Sequence, residues 1–201
     1  MTPFPACIVS GGQTGADRAG LDFAIANSLT HAGYCPRGRL AEDGAIPLRY
    51  NLTETTSAEY AVRTRRNVAL GDATVIFARV PAQELMRQRR SGSGLTAREA
   101  ERTGRAFLVL SHFPDVAADA AELRAFFEKH GPRILNVAGS RESAQPGIHA
   151  HVFAVLATVA GMMPWPVKPA VYPKDVFSDE EIAELTQAGA KPGSFAKYAK
   201  K

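Results

Sequence analysis

The feature that most constrains the fold is a glycine-rich turn, SGGQTGADRAGLD at residues 10–22, which joins a short apolar run to an amphipathic stretch. Its glycines Gly11, Gly12 and Gly15 permit positive φ angles and close approach of the backbone to a ligand. Thr14 is placed to cap the following helix, whose first N–H groups would then face a bound anion. A ligand-free strand-to-helix turn has the same pattern, so neighbouring loops must decide between the two.

Length, charge and cysteine content narrow the class of protein. The chain has 201 residues, of which 45% are hydrophobic, enough to bury a core in one domain. A net charge of +4 suits a small anionic partner, and no nucleic-acid motif or interleaving of aromatic and basic residues is present. Two cysteines are too few for a disulfide framework, and neither a signal peptide nor an apolar run near ~18 residues occurs. We expect a cytoplasmic protein that binds neither nucleic acid nor membrane.

Apolar β-rich runs alternate with amphipathic stretches along the chain. Strands are predicted at Cys7–Val9, Thr74–Ala78, Ala106–Leu110 and Arg133–Val137, with a weaker candidate at His31–Cys35. Helices are predicted at Asp17–Leu29, Ala58–Leu70, Ala97–Gly104, Ala117–His130 and about 146–161, and Thr96 with Glu99 has the spacing of a capping box. This alternation predicts an α/β, Rossmann-like, three-layer domain with a mostly parallel sheet over residues 1–161.

The segment after Gly161 changes character. The stretch MMPWPVKPAVYP contains four prolines, so it cannot form a long helix or a central strand. Residues 162–201 are therefore predicted to form a proline-rich strap, a short helix and a basic tail, packed on the domain or on a neighbouring subunit.

Four strand-to-helix loops contain more charge and glycine than plain connections need. They are residues 11–18, 35–44 (CPRGRLAEDG), 91–96 (SGSGLT) and 136–143 (NVAGSRES). Because ligands collect beyond the carboxyl ends of parallel strands, four such loops in one domain predict a binding site there. Backbone N–H groups and the guanidinium groups of Arg37, Arg39 and Arg141 suit phosphate or another oxyanion.

Carboxylates in the same loops leave two interpretations open. Asp17, Glu42, Asp43 and Glu142 could accept hydrogen bonds from ribose hydroxyls or ring nitrogens, or they could pair with nearby arginines to hold the loops in shape. The five histidines are scattered, so no protein-only metal site is predicted. The sequence has no Walker lysine, GxSxG elbow or HExxH motif.

Several motifs in one order resemble those of the "putative molybdenum carrier" family, the circularly permuted YpsA-like branch of the SLOG superfamily. They are SGGQTGADRAGLD, CPRGRLAEDGAIPLRY, YAVRTRRNV at residues 60–68, the GLT of the third loop, and LNVAGSRES followed by PGI. That superfamily also contains the LOG and lysine-decarboxylase-like proteins. The similarity spans roughly residues 6–160. It implies a Rossmann-like fold that binds a nucleotide-derived or molybdenum-cofactor-like ligand.

The resemblance also implies a set of ligand-binding positions. They are Gly11, Gly12, Thr14, Gly15, Asp17, Arg37, Gly38, Arg39, Glu42, Asp43, Arg63, Thr64, Asn67, Gly94, Thr96, Gly139, Arg141, Glu142 and Ser143. Two features depart from the family pattern. The third loop reads SGSGLT instead of SGGTALT, and it follows an arginine-rich insert, VPAQELMRQRRS at residues 80–91.

From these residues we expect a homo-oligomeric carrier-like protein that binds a small phosphate-containing anion, nucleotide-derived or molybdopterin-like. The phosphate is predicted on the first and third loops, with Arg39 and Arg141 neutralising it. The enzymatic alternative is a LOG-like nucleoside 5′-monophosphate phosphoribohydrolase, which cleaves an N-glycosidic bond. Arg18 stands where the LOG motif PGGxGTxxE has its glutamate, so Asp17 and Glu142 are the catalytic candidates for that reaction.

Overall fold

A sheet of five parallel strands forms the centre of the fold in the computed structural model, which describes residues 2–166. In chain order, the strands are β1 (Cys7–Val9), β2 (Thr30–Ala32), β3 (Tyr34–Cys35), β4 (Leu40–Ala41), β5 (Gly44–Ala45), β6 (Thr53–Glu54), β7 (Ala73–Phe77), β8 (Ala106–Leu110) and β9 (Ile134–Gly139). The helices are α1 (Ala16–Ala26), α2 (Tyr60–Leu70), α3 (Ala82–Arg87), α4 (Gly92–Arg102), α5 (Val116–His130) and α6 (Ile148–Met162). The predicted α/β, Rossmann-like architecture is confirmed.

The order of strands in the sheet is β2-β1-β9-β7-β8, and every neighbouring pair is parallel. Strands β1 and β7 are buried along their whole length because their apolar side chains face helices on both sides. Helices α1 and α5 lie on one face of the sheet and α4 lies on the other, which is the arrangement expected from right-handed crossovers. Helix α6 packs between α1 and α5, and α2 packs beside α4, which completes the three layers.

The sheet has the strand order of a common doubly wound fold, but the chain begins at the strand that is fourth in that fold. Counted from β7 through β8 and β9 and then to β1 and β2, the sheet order reads 2-1-3-4-5, one of the two common doubly wound orders. The start of the chain lies beside the end of α6, since Phe4 N donates to Pro164 O at 3.0 Å and the Phe4 ring stacks on Trp165. The point where the strand order reverses lies between β7 and β9.

Apolar side chains cover both faces of the sheet. The largest cluster lies between the sheet and α1, α5 and α6, and it includes Phe23, Phe127 and Leu135. A second cluster on the opposite face joins Ile76 of β7 to Leu85 of α3 and to α4. The arginine-rich insert at residues 80–91, which sequence reasoning left unassigned, therefore contributes a short helix that packs on α4.

Two predictions about helix starts are wrong. Helix α4 begins at Gly92 with Ser91 as its N-cap, because the Ser91 hydroxyl accepts a hydrogen bond from Gly94 N at 3.1 Å. Thr96 lies inside that helix and donates to Gly92 O, so its spacing to Glu99 is not a capping box. At α1 the N-cap is Gly15 without a side-chain bond, and the Thr14 hydroxyl donates to Glu42 instead.

The candidate strand at His31–Cys35 is broken in two at Gly33. Gly33 has a φ of 142°, and a Cβ there would lie 2.0 Å from Ser10 O. Strand β2 therefore stays in the main sheet, while β3 turns away and pairs with β6. Only glycine permits this close approach.

The C-terminal prediction falls almost wholly outside the described residues. Of the strap, short helix and tail predicted at 162–201, the structure describes residues 162–166. Within residues 2–166, no helix combines the length and the apolarity needed to cross a membrane.

Asn67 on α2 fixes the start of β3. Its side-chain Nδ2 donates to Tyr34 O at 3.0 Å, and its Oδ1 accepts from Tyr34 N at 2.7 Å. Both residues are buried, so the amide satisfies backbone groups that water does not reach. The resemblance assigns Asn67 to a ligand, whereas its hydrogen bonds in the structure join α2 to β3.

We expect Asn67→Ala to lower the free energy of unfolding by about 2–4 kcal/mol, because it removes one donor and one acceptor from two buried backbone groups. Asn27→Ala is the matched control, since exposed Asn27 donates a single side-chain bond to Phe23 O. That variant should cost less than about 1 kcal/mol. Urea unfolding of both variants measures the difference, and equal losses would contradict the structural role of Asn67.

Candidate ligand-binding site

A cavity of about 430 Å³ opens at the carboxyl ends of β1, β9 and β7. Its floor consists of residues that follow these strands, and α2 and the first turn of α4 form its walls. The cavity therefore includes the point where the strand order reverses, which is where open α/β sheets bind ligands. Its volume lies within the ~300–1,000 Å³ typical of small-molecule sites.

The cavity has an excess of positive charge. Three arginines, Arg63, Arg79 and Arg141, line it together with one carboxylate, Asp17. The Arg79 Nη1 donates to Ala144 O at 3.1 Å. The Arg141 side chain is 48% exposed, and its guanidinium lies 4.0 Å from the Glu42 carboxylate. An anion entering this cavity therefore meets guanidinium groups that other side chains only partly neutralise.

Asp17 is the one carboxylate among the described residues that line the cavity. Its Oδ2 accepts hydrogen bonds from Arg63 Nη1 at 2.9 Å and from Gln13 N at 3.3 Å. No described residue donates a hydrogen bond to Oδ1. Burial raises the pKa of Asp17, while the guanidinium of Arg63, the Gln13 N–H and the charge of Arg141 lower it in part. Asp17 thus offers a free acceptor in a cationic cavity.

Gln13 lies beside Asp17 and is also buried. Its Oε1 accepts hydrogen bonds from Thr14 N at 3.0 Å and from Glu42 N at 2.9 Å. Its Nε2 and the Arg63 Nε are buried donors with no hydrogen-bond partner among residues 2–166. A buried donor without a partner costs about 1–3 kcal/mol, so these atoms mark a place where a bound molecule would be stabilising.

The start of α4 lines the same cavity with Ser91, Gly92 and Ser93. The positive end of the helix dipole would therefore lie near an anion bound there. The insert helix α3 holds this turn in place, since Gly94 packs so closely on Leu85 that a Cβ would lie 2.6 Å from Leu85 O. The first loop is different, because Ser140 O accepts a hydrogen bond from Ala16 N at 3.1 Å and covers the start of α1.

The structure brings together part of the predicted set. Six predicted residues line the cavity: Asp17, Arg63, Thr64, Thr96, Gly139 and Arg141. Gly11, Gly12, Gly15 and Gly94 do not line the cavity, but each packs so closely on another residue that a Cβ would lie within 2.6 Å of one of its atoms. The remaining predicted positions do not line the cavity either: Thr14, Arg37, Gly38, Arg39, Glu42, Asp43, Asn67, Glu142 and Ser143.

Sequence reasoning did not single out several residues that line the cavity. Gln13, Tyr60 and Arg79 are among them, as are Ser91 and Ser93 at the start of α4. The Tyr60 ring lies 5.9 Å from the guanidinium of Arg63 and 5.5 Å from that of Arg141. Gln13 lies within the motif SGGQTGADRAGLD and Ser91 within SGSGLT, so the sequence motifs could have indicated both residues. Arg79 has no local pattern that distinguishes it from other surface arginines.

Several charged residues outside the cavity, Arg18, Glu42, Asp43 and Glu142, hold the loops in shape. Arg18 forms a two-bond ion pair with Asp43, which lowers the pKa of that carboxyl. Glu42 accepts hydrogen bonds from Thr14 and Ser143 and so joins the first, second and fourth loops. Glu142 accepts from Gly147 N at 2.6 Å and from His149 N at 3.0 Å, which caps α6.

Arg39 is the best example of such a structural arginine. Its guanidinium donates to four backbone carbonyls: Ile46 O, Leu52 O, Pro47 O and Tyr50 O, at 2.9–3.0 Å. These bonds fold residues 39–52 around the guanidinium. Arg39 therefore donates its hydrogen bonds to backbone carbonyls and does not line the cavity. The sequence predicted instead that Arg39 would neutralise a bound phosphate.

We expect Arg39→Ala to lower the free energy of unfolding by about 2–3 kcal/mol, because four carbonyls lose charge-assisted hydrogen bonds. Arg37→Ala is the control, since Arg37 is exposed in the same loop, and its effect should stay within about 0.5 kcal/mol. Urea unfolding of the ligand-free protein distinguishes the two. Equally small effects in both variants would show that Arg39 is not structural.

Fold and cavity define a class: a permuted, doubly wound α/β domain with an anion-compatible cavity at its switch point. The sequence profile of the circularly permuted YpsA SLOG family matches residues 8–160. A crystal structure named "Putative molybdenum carrier protein", from Syntrophus aciditrophicus SB, is 34% identical, with a TM-score of 0.72 over 79% of this chain and 97% of that chain. No curated protein matches. The chain belongs to the circularly permuted YpsA SLOG family.

Proposed function

We propose that the protein binds a small anionic ligand through a phosphate or similar oxyanion group in the cavity between β7 and β9. The observation behind this proposal is that, among residues 2–166, three arginines and one helix N-terminus line a cavity together with a single carboxylate. Guanidinium groups bind oxyanions through paired N–H bonds, and a helix start adds backbone N–H donors. The ligand classes that fit are nucleotide-derived or molybdopterin-like molecules.

Arg141 and the start of α4 are the main oxyanion contacts in this proposal. Arg63 already donates to Asp17, and Arg79 donates to a backbone carbonyl. Among residues 2–166, Arg141 is held only by a 4.0 Å ion pair to Glu42 and by its position over the Tyr60 ring. It can therefore turn towards a ligand at little cost. Arg39 has no part in the proposed site.

A molybdenum species fits this cavity as an oxyanion or through a cofactor phosphate, not as a metal ion bound by side chains. Among residues 2–166, no group of three His, Cys, Asp or Glu side chains is placed to hold a metal ion. Burial raises the pKa of Cys7 to about 12 and that of Cys35 to about 11, which disfavours the thiolates that bind metals. The name of the relative from Syntrophus aciditrophicus supports testing molybdate and molybdopterin-type ligands.

We expect Arg141→Ala to raise the Kd of an oxyanion ligand by about 10-fold or more, because a hydrogen bond to a charged group contributes about 1.5–3 kcal/mol. Arg124→Ala is the control, since exposed Arg124 pairs with Glu128 on α5, away from the cavity. Isothermal titration calorimetry with phosphate, molybdate, AMP and GMP measures both variants. The proposal fails if the wild-type protein binds none of these probes or if both variants bind equally well.

A LOG-like hydrolase is the second candidate, and the place of Asp17 in the cavity is the observation that favours it. Hydrolysis would split the N-glycosidic bond of AMP with water and release adenine and ribose 5-phosphate. Glu142 is the weaker catalytic candidate, because its carboxylate caps α6. Incubation with AMP followed by chromatography tests the reaction. Adenine release that Asp17→Asn abolishes would support the hydrolase, and no release would leave binding as the function.

A further inference from the structure

Resting on the proposed oxyanion site, we infer that Gln13 and Asp17 recognise the edge of a planar heterocycle that presents a hydrogen-bond acceptor beside a donor. The ligand is then the phosphate ester of a nucleobase-like or pterin-like ring, not a bare oxyanion. The two residues follow β1, whereas the start of α4, one of the proposed oxyanion contacts, follows β7 and lines the same cavity.

The orientation of the Gln13 amide is fixed by its surroundings. Its Oε1 has two backbone N–H groups as neighbours, Thr14 N and Glu42 N. Both neighbours are donors, so the amide oxygen must face them and the NH₂ group must face the other way. That NH₂ group is buried in a residue only 4% exposed, and it has no partner among residues 2–166. It is a fixed donor that a ligand acceptor would complete.

Asp17 supplies the matching acceptor. Its Oδ2 is held by Arg63 and by the backbone of Gln13, while Oδ1 accepts no hydrogen bond from the described residues. The 3.3 Å bond from Gln13 N to Asp17 Oδ2 keeps the two residues side by side. The oxygens of an ionised phosphate are acceptors like Oδ1, so a hydrogen bond to Oδ1 needs a ligand group that donates. A ring N–H or amino group is such a donor.

The separation of the two binding regions agrees with a ligand that has a ring at one end and a phosphate at the other. Gln13 and Asp17 follow β1, Ser91 and Gly92 follow β7, and β9 lies between these two strands. Neighbouring strands are about 4.8 Å apart, so the two ends of the cavity are separated by about 10 Å. A bare oxyanion contacts one end only. A ring joined to a phosphate through a sugar-like linker reaches both.

The test is a ratio of affinities measured on one protein sample. We expect the wild-type protein to bind GMP or AMP at least about 10-fold more tightly than ribose 5-phosphate, since only the nucleotides present a ring edge. Gln13→Glu keeps the oxygen that accepts the two N–H groups but removes the free donor, and Asp17→Asn removes the free acceptor. Each variant should lower the ratio towards one.

Two further variants separate hydrogen bonding from charge. The double variant Gln13→Glu/Asp17→Asn keeps the net charge of the cavity and exchanges the donor with the acceptor, so a lowered ratio there cannot come from charge. Glu101→Gln is the matched control, because it removes one exposed carboxylate of α4 that does not line the cavity, and its ratio should equal that of the wild type.

The outcomes distinguish this inference from the proposed function. Equal affinities for ribose 5-phosphate and the nucleotides in the wild-type protein overturn the ring-edge site and leave the oxyanion site standing. A high ratio that no variant lowers also overturns it, since the ring would then be held by other residues. Absence of binding to phosphate, molybdate and nucleotides alike overturns both. Circular dichroism of each variant confirms that it is folded before its ratio is compared.

Discussion

The contact between the β1–α1 turn and the β9–α6 turn is the constraint on which the rest of the site depends. Gly15 packs so closely on the second turn that a Cβ would lie 2.5 Å from Ser140 O, and Ala16 N donates to that same oxygen. This contact covers the start of α1 and leaves the start of α4 facing the cavity. It also brings Gln13 and Asp17 to the same cavity as Arg141.

Several polar groups that line the cavity are buried, and their burial lowers the free energy of unfolding. Asp17 and Arg63 form an ion pair in which both side chains are largely buried, and desolvation offsets much of the attraction in such pairs. Two buried donors, the Nε of Arg63 itself and the Nε2 of Gln13, have no partner among the described residues. Proteins retain such arrangements where binding requires them, because apolar replacements would pack at lower cost. Under the proposed function, a ligand that supplied the missing acceptors would recover this free energy.

The sequence predicts the elements that follow from a local residue pattern, such as the central strands. It does not predict the roles of residues whose hydrogen-bond partners lie far away along the chain. The central strands were predicted because buried parallel strands are continuous apolar runs. The start of α4 was misplaced because Ser91 and Thr96 both have N-cap chemistry, and the N-cap hydrogen bond forms at Ser91. Arg37 and Arg39 look alike in sequence, yet carbonyls at residues 46–52 engage only Arg39. Gln13 went unnoticed because Glu42, far along the chain, orients its amide.

The permuted strand order also sets when the cavity can form. Strand β9 pairs with β1 on one side and β7 on the other, and Ser10 at the end of β1 donates to Val137 of β9 across 127 residues of chain. Contacts between residues so distant in sequence carry a large loop-closure entropy cost. A nascent chain that has made β1 and β7 still lacks the strand that joins them. The proposed ligand could therefore bind only to chains in which the whole sheet has been synthesised and closed.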